Sequence, residues 1–422
     1  MSKIFALDYD LHDFPNGLRL ITVPAPYPNV VSVYIVVQAG SRNEVEPGKT
    51  GFAHFFEHMM FRGTPDYPPE RYEAVLQETG ASSNAYTDDD RTVYHTTLAS
   101  VDLETLLSME ADRFLHLDYP LEDFQTEALA VYGEYNKDFA DPMNKMFEVL
   151  RDAAFDRHTY KHTTMGFLDD IVAMPRQYDY SRLFFDRYYR PEYTTLVAVG
   201  DVAPAAVREL AERYWGAWPR GKWHVDVPQE PPPDGPRERH IEWETPTLPH
   251  LLLSWRASAY SDESIDAPAL DLISYLGFSE NSPLFQRLVI DEQKVDILWS
   301  NNSDHVDPYL FTVMARVKRA EDVAPIRELV ESTLAEFAAK LVEAGLLENV
   351  KKHLRYQFAL GMNHSEAIAS TLAHYVSLRR TPETINRLYT TYESITPADL
   401  QRIAAKYFTA AGRTVVTLEA KS

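Results

Sequence analysis

Two histidines and a glutamate are spaced for metal chemistry within the run GFAHFFEHMMF. His54 and His58 are four residues apart, so on a helix they lie on one face, one turn apart. Glu57 lies close to the same face, and that offset suits a carboxylate that holds a metal-bound water rather than the ion itself. Catalytic zinc sites use three protein ligands and leave a fourth position for water. The pattern therefore predicts zinc-assisted hydrolysis and requires a third ligand elsewhere.

The same residues also have a purely structural interpretation. His54 and His58 could pack against their aromatic neighbours, with Glu57 exposed to solvent. Polar and charged groups in an apolar helix cost stability unless they are paired, bound to something or placed on a wet face. A third ligand would decide between the two interpretations.

Composition limits the chemistry that is available. The chain has 422 residues, enough for two or three domains, and it contains no cysteine. Any metal must therefore be bound by His, Asp or Glu. The net charge of −22 argues against nucleic-acid binding. It is compatible with a basic peptide or protein partner, and equally with a role in solubility alone.

Hydropathy predicts a protein without a membrane span. No apolar run approaches the roughly 20 residues of a spanning helix, and the start, MSKIFALDYDLHDFPNGLRL, lacks a signal-peptide pattern. We therefore expect a soluble protein, with the cytoplasm favoured and the periplasm open if a leader was removed.

The strongest break in the chain is the stretch DVPQEPPPDGPRER. Its three consecutive prolines, Pro231–Pro233, favour an extended connector that neither a helix nor a central strand accepts. This predicts a metal-bearing lobe at 1–224, a Pro-rich linker at 225–239, and a second, metal-free lobe at 240–422.

The two halves also repeat one another. Glu44 and Glu263 each follow a β-rich run, and Tyr189 and Phe408 each lie between a helix and a Val/Thr strand. Both pairs are separated by the same number of residues, which indicates a duplicated unit. We expect an α+β fold of two related lobes, each a mostly antiparallel β-sheet packed against α-helices on one side.

The HxxEH order reverses the common HExxH motif and is typical of the inverzincins. Together with AGSRNE, NAYTDDDRTVYHTTL and FFDRYYRPEYTTLVAVGD, it makes the chain resemble the M16 metallopeptidases, the pitrilysin and mitochondrial-processing-peptidase-like family with the LuxS/MPP-like fold. The resemblance implies one zinc ion per chain, bound by His54, His58 and Glu134. It implies Glu57 as the base and Glu127, nearly two turns before Glu134, as support for a ligand.

The resemblance also implies a substrate edge. The Asn-Ala pair of the family matches Asn84 and Ala85, which would border the zinc and help to hold the substrate backbone. An extended peptide would add there to an exposed sheet edge, with little demand on its sequence. The alternative is that Asn84 only satisfies a turn.

The second half departs from the family pattern. An Arg and a Tyr that bind substrate and stabilise the oxyanion are replaced by Val289 and Asp296 in PLFQRLVIDEQKVDILWS. Losing such donors lowers the rate by roughly 10²–10³. Either the chain is a weak peptidase, or a second polypeptide supplies these groups.

The favoured hypothesis is the zinc-bearing subunit of a heterodimer with a homologous metal-free chain. It would cleave peptides or small unstructured proteins inside a chamber. The alternatives are a peptide-binding module, or a structural subunit with little activity of its own.

Overall fold

The computed structural model describes residues 3–421. The strands of this part of the chain are β1 Asp10–Asp13, β2 Arg19–Pro24, β3 Val30–Val37, β4 Ser82–Thr87, β5 Thr92–Ala99, β6 Thr194–Gly200, β7 Arg237–Trp243, β8 His250–Arg256, β9 Val295–Asn302, β10 Leu310–Val317 and β11 Arg413–Ala420. The α-helices are α1 Phe52–Met59, α2 Pro69–Glu78, α3 Leu103–His116, α4 Leu121–Asp138, α5 Pro142–Ala154, α6 Leu168–Ala173, α7 Tyr178–Tyr188, α8 Pro204–Trp215, α9 Asp266–Phe278, α10 Pro283–Phe285, α11 Val323–Ala339, α12 Ala344–Gly361, α13 Ser365–Arg379, α14 Glu383–Ser394 and α15 Pro397–Tyr407.

The internal contacts divide the chain into two compact units. Unit 1 contains the described residues up to Lys137, His162–Pro228 and Ala359–Thr384. Unit 2 contains Asp138–Lys161, Gln229–Phe358 and the described residues from Ile385 onward.

This division differs from the predicted lobes at 1–224 and 240–422. The helix α5 belongs to unit 2 although it lies in the first half of the chain, and α13 belongs to unit 1 although it lies in the second half. The boundary between the units falls within the stretch predicted as a linker at 225–239, since Pro228 belongs to unit 1 and Gln229 to unit 2. The assignment of α5 to unit 2 and of α13 to unit 1 was not predicted, because sequence order does not show which sheet an amphipathic helix covers.

The sheet of unit 1 has the order β1-β2-β6-β3-β5-β4, with β2 and β6 parallel and the other neighbours antiparallel. Every residue of β3 after the first is buried. Since side chains alternate along a strand, both faces of the sheet must be covered. On one face Ser32 Oγ lies 3.0 Å from Ser365 Oγ of α13. On the other, Tyr94 donates its hydroxyl to the carbonyl of Phe56 in α1.

The sheet of unit 2 has the order β7-β11-β8-β10-β9, and only β7 and β11 are parallel. Leu252 of β8 packs in a cluster with Met146 and Leu150 of α5. The alternate residues Leu251 and Leu253 pack in a second cluster that includes α9, α11 and α15. The expectation of helices on one side only is therefore wrong for both sheets, because a strand buried on both faces needs a helix on each.

Five strands follow the same order and pairing in both units, with β7, β11, β8, β10 and β9 matching β2, β6, β3, β5 and β4. The topology thus repeats, as the equal offsets in the sequence indicate, and the α+β class with two related sheets is confirmed. Among the described helices, none combines the length and hydropathy of a membrane span.

Candidate metal centre

The helix α1 begins at a glycine and a buried carboxylate. Gly51 has φ +89°, a left-handed conformation that favours glycine, and a Cβ there would lie 2.4 Å from Ile171 Cδ1. Glu44 accepts the backbone N–H groups of Gly51 at 2.8 Å and Ala53 at 2.7 Å. Burial raises the pKa of Glu44 well above its ordinary value, and these backbone donors oppose that shift. The start of the helix is thereby fixed directly before His54.

The structure brings His54, His58 and Glu134 together. The two Nε2 atoms lie 3.2 Å apart, and Glu134 Oε2 lies 3.7 Å from His54 Nε2 and 3.3 Å from His58 Nε2. The histidines come from α1 and the glutamate from α4. In the described part of the chain, this is the group of His, Asp and Glu side chains whose ligand atoms converge closely enough for one ion.

This triangle fits a zinc ion. Ligand atoms at zinc–ligand distances of about 2.0–2.2 Å in a tetrahedral arrangement are separated by about 3.3–3.6 Å. The three separations fall at or close to that range. Two imidazoles and one carboxylate are also the ligand set of a catalytic zinc, which leaves a fourth position for water or substrate.

The pKa values of the two histidines are shifted in opposite directions. Burial, together with the charge of His58, lowers the pKa of His54 to about 3, so its imidazole is neutral. Burial also lowers the pKa of His58, but Glu127, Glu134 and Glu57 outweigh it and the net pKa is raised. A neutral imidazole is the form that binds a metal, so metal binding at His58 competes with a proton.

Glu127 lies behind His58 rather than in the triangle. Its Oε1 is 2.8 Å from His58 Nδ1, which leaves Nε2 of that ring facing Glu134. Arg62 Nε donates to the other oxygen of Glu127 at 2.5 Å. Burial raises the pKa of Glu127, but the hydrogen bonds from His58 and Arg62 outweigh burial and hold the pKa below its ordinary value.

Glu57 lies beside the triangle and is oriented from the sheet. Thr87 Oγ1, at the end of β4, donates to Glu57 Oε2 at 2.6 Å. Burial raises the pKa of Glu57, and the bond from Thr87 partly offsets this. A pocket of about 400 Å³ opens next to Glu57 and His58, and Phe61 also lines it. A carboxylate of raised pKa, held beside a metal site and open to a pocket, is suited to accept and return a proton.

Asn84 and Ala85 lie on β4, which is the edge strand of its sheet. Because side chains alternate along a strand, Ala85 shares the face of Thr87 whereas Asn84 points to the other face. Asn84 is exposed, and its Oδ1 accepts the N–H of Ala85 at 2.9 Å. The structure thus places the side chain of Asn84 on the side of the strand away from Glu57.

Three residues of the site were not predicted from the sequence. Arg62 continues the spacing of His54 and His58 by a further four residues, which could have indicated it. Thr87 is two positions beyond Ala85, so strand alternation alone could have placed it next to the base. Nothing in the sequence indicates that Glu44 caps α1.

The positions of the family's Arg/Tyr pair contribute no donor of that kind. Val289 lies in a π-helical segment, Gln286–Asp291, and packs against the core of unit 2. Asp296 accepts hydrogen bonds from Arg316, including one of 2.8 Å from Nη2, and this interaction lowers its pKa.

Comparison with known proteins identifies the family. The sequence model described as "Insulinase (Peptidase family M16)" matches residues 19–167, and "Peptidase M16 inactive domain" matches residues 177–354. The chain belongs to the M16 peptidase family.

Its relatives include proteins named as zinc proteases. The chain is 25% identical over 410 residues to the zinc protease PqqE of Helicobacter pylori, covering 96% of this chain and 91% of the relative. It is 24% identical over 423 residues to the mitochondrial-processing peptidase subunit beta of Caenorhabditis elegans, covering 96% and 88%. The crystal structure of a protease from Helicobacter pylori has the same fold, with a TM-score of 0.91 at 24% identity and coverage of 98% and 99%.

Proposed function

We propose that the chain is a zinc-dependent endopeptidase, with one zinc ion bound by His54, His58 and Glu134. The observation that carries this proposal is the convergence of their ligand atoms within 3.2–3.7 Å. The names of the zinc protease relatives support it.

A bound zinc ion would polarise the scissile carbonyl and lower the pKa of a water ligand. Glu57 accepts the proton of the attacking water at its carboxylate and later returns it to the leaving amine. Thr87 keeps one carboxylate oxygen of Glu57 fixed, so the other is free to exchange the proton. Glu127 acts through His58, whose Nδ1 it binds, and does not exchange protons with the substrate.

The substrate class follows from the free edge of β4. An extended peptide would add to this edge, and the backbone of Asn84 and Ala85 would hold it. Backbone pairing makes little demand on sequence, which favours peptides and small unstructured proteins. The net charge of −22 favours basic ones.

We further propose that this chain is the catalytic subunit of a heterodimer that encloses its substrate in a chamber. Val289 and Asp296 offer no oxyanion donor, because one is apolar and the other is an anion paired with Arg316. A homologous metal-free subunit would supply the Arg/Tyr pair. The same residues favour, as the alternative, a peptide-binding or structural M16 subunit with little activity of its own.

One experiment separates these functions. The chain is assayed on an unstructured peptide alone, with a metal-free relative, and with that relative lacking its Arg; zinc content is measured in parallel. The proposal requires about one zinc per chain, and activity that rises on mixing mainly through kcat, because the donors act on the transition state. Glu57→Gln should keep zinc and lose activity by about 10²–10⁴.

Full activity of the isolated monomer would refute the heterodimer. Zinc binding and peptide binding without hydrolysis in any mixture would establish the binding module. A chain without zinc would refute the metalloenzyme.

A further inference from the structure

The helix face that carries the two proposed histidine ligands continues to a third residue, and we call this row of side chains the stripe of α1. His54, His58 and Arg62 follow one another at intervals of four residues, with Arg62 just beyond the end of the helix, where its N–H bonds to the carbonyl of Met59 at 3.0 Å. These side chains meet the carboxylates of α4. The third position of the stripe therefore carries a cation where the first two carry imidazoles.

The guanidinium of Arg62 is committed to Glu127. Its Nε donates to Glu127 Oε2 at 2.5 Å, and its Nη2 forms an ion pair with the same oxygen. The side chain of Glu127 is 7% exposed. Within residues 3–421, Arg62 and His58 are the basic side chains paired with this carboxylate. Each oxygen of Glu127 therefore has its own partner.

We infer that Arg62 is a positioning residue for the metal centre, acting through Glu127 on His58. This inference rests on the proposed function, because it assumes that His58 Nε2 binds the metal. Neutral histidine has two tautomers, and only the one with its proton on Nδ1 offers Nε2 to an ion. The bond from His58 Nδ1 to Glu127 Oε1 selects that tautomer. Arg62 holds the second oxygen and so fixes the orientation of the carboxylate.

The consequence of removing Arg62 follows from this geometry. The terminal torsion of a glutamate is broad and weakly restrained. Without its cation, Glu127 would be free to rotate about that torsion, and its bond to His58 would lose its fixed direction. Changes to such supporting partners of a ligand typically lower metal affinity by 10–100-fold. We expect a loss of about tenfold, at the lower end of that range, because His58 itself still holds one oxygen.

The test measures zinc affinity rather than activity. Metal-free full-length protein is titrated with zinc against a chromogenic chelator, for the parent, Arg62→Met, Arg62→Lys, Glu127→Gln and the double variant Arg62→Met/Glu127→Gln. Arg62→Met should bind zinc about tenfold more weakly, and Arg62→Lys, which keeps the charge, should recover part of the loss. The double variant should bind zinc as Glu127→Gln does, because Arg62 acts only through Glu127.

Controls separate this role from folding. Arg182→Met removes a surface arginine of unit 1 that is paired with Asp118, and should leave zinc affinity unchanged. The melting temperature of each metal-free variant reports any loss of stability; if Arg62→Met does not fold, Arg62→Gln takes its place.

Three results would overturn the inference while leaving the proposed function intact. The first is a zinc affinity of Arg62→Met equal to that of the parent. The second is an Arg62→Lys variant that binds zinc as weakly as Arg62→Met. The third is that Arg62→Met lowers the zinc affinity of Glu127→Gln as much as it lowers that of the parent. Failure of the parent to bind zinc would refute the proposed function itself, and this inference with it.

Discussion

The two units share a sheet topology and differ in the first α-helix that follows β3 in unit 1 and β8 in unit 2. Glu44 and Glu263 occupy equivalent positions in the two halves of the sequence. The same offset in residue number places Ile273, Leu276 and Gly277 at the positions of His54, Glu57 and His58. These three residues of α9 are buried, and Ile273 and Leu276 belong to the core of unit 2. The position that carries polar chemistry in α1 thus carries ordinary core packing in α9.

The pockets next to these helices differ in the same way. The pocket in unit 1, about 400 Å³, is lined by Glu57, His58 and Glu127. The pocket in unit 2, about 300 Å³, is lined by Leu276, Gly277 and Leu346. By the same offset in residue number, these three residues correspond in order to Glu57, His58 and Glu127 of the pocket in unit 1. Because the fold forms without these polar residues in unit 2, their presence in unit 1 is not explained by folding. Buried polar groups cost stability, so a ligand is the better explanation.

The largest effect that tests this comparison is the loss of metal from unit 1. Glu134→Gln removes the charge of a proposed ligand, and the zinc affinity of this variant should fall by more than the roughly 100-fold upper range for a residue that only supports a ligand. The offset places His353 of unit 2 at the position of Glu134, so His353→Ala is the matched control. Its zinc affinity, measured by chelator competition, should equal that of the parent. If the parent binds a second zinc ion per chain and His353→Ala loses it, unit 2 would also hold a metal, and the contrast between the two units would be wrong.

The next effect concerns Glu57, the proposed base. Thr87→Val removes the hydroxyl that donates to Glu57 but keeps the side-chain shape. A hydrogen bond to a charged group contributes about 2 kcal/mol, so kcat should fall roughly 30-fold. KM should change little, since Thr87 has no predicted contact with substrate.

Two variants of β4 serve as controls for Thr87. Thr87→Ser keeps the hydroxyl and should retain most of the activity. Ser83 lies on the same face of the strand as Thr87, but its hydroxyl is hydrogen-bonded to Thr96 and not to Glu57. Ser83→Ala should therefore leave kcat unchanged. An equal loss in Ser83→Ala would show that Thr87 acts on the strand and not on the base.

The smallest expected effect is on the stability of unit 2. Glu230 accepts three backbone N–H groups, from Asp156, Arg157 and His158, and a bond from Arg256. Burial raises its pKa, but these donors outweigh burial and lower the pKa to about 2. A folded-state pKa below the ordinary 4.5 stabilises the protein above about pH 4.5, and the stabilisation is lost as the pH falls toward 2.

Glu230→Gln should therefore lower the free energy of unfolding at pH 7 by about 1.5 kcal/mol, after discounting the shift for solvent screening. Urea unfolding measures the difference, which should shrink at pH 3. Glu280→Gln, an exposed glutamate of the same unit, should unfold like the parent at both pH values. Because Glu230 has no part in the metal site, zinc affinity should stay unchanged; a loss of zinc in Glu230→Gln would contradict the assignment of the site to unit 1 alone.

The sequence determined much of the site and the class of fold. The spacing of His54 and His58 places both on one face of α1, since helical periodicity is a local property. The resemblance assigned Glu134 and Glu127, which no local rule connects to α1. The presence of two related units also followed from the sequence, because equal offsets of matching motifs are visible without coordinates.

Only the tertiary structure decided which residues support the site and which helix covers which sheet. Periodicity places Arg62 on the face of His58 and Thr87 on the face of Ala85. It does not show that Arg62 reaches Glu127 or that Thr87 reaches Glu57, and no local pattern connects Glu44 to the start of α1. The exchange of α5 and α13 between the units has the same origin. Amphipathic patterning shows that a helix face must be buried, but any apolar sheet face satisfies it equally well. The partner of each face is fixed only when all strands and helices pack together.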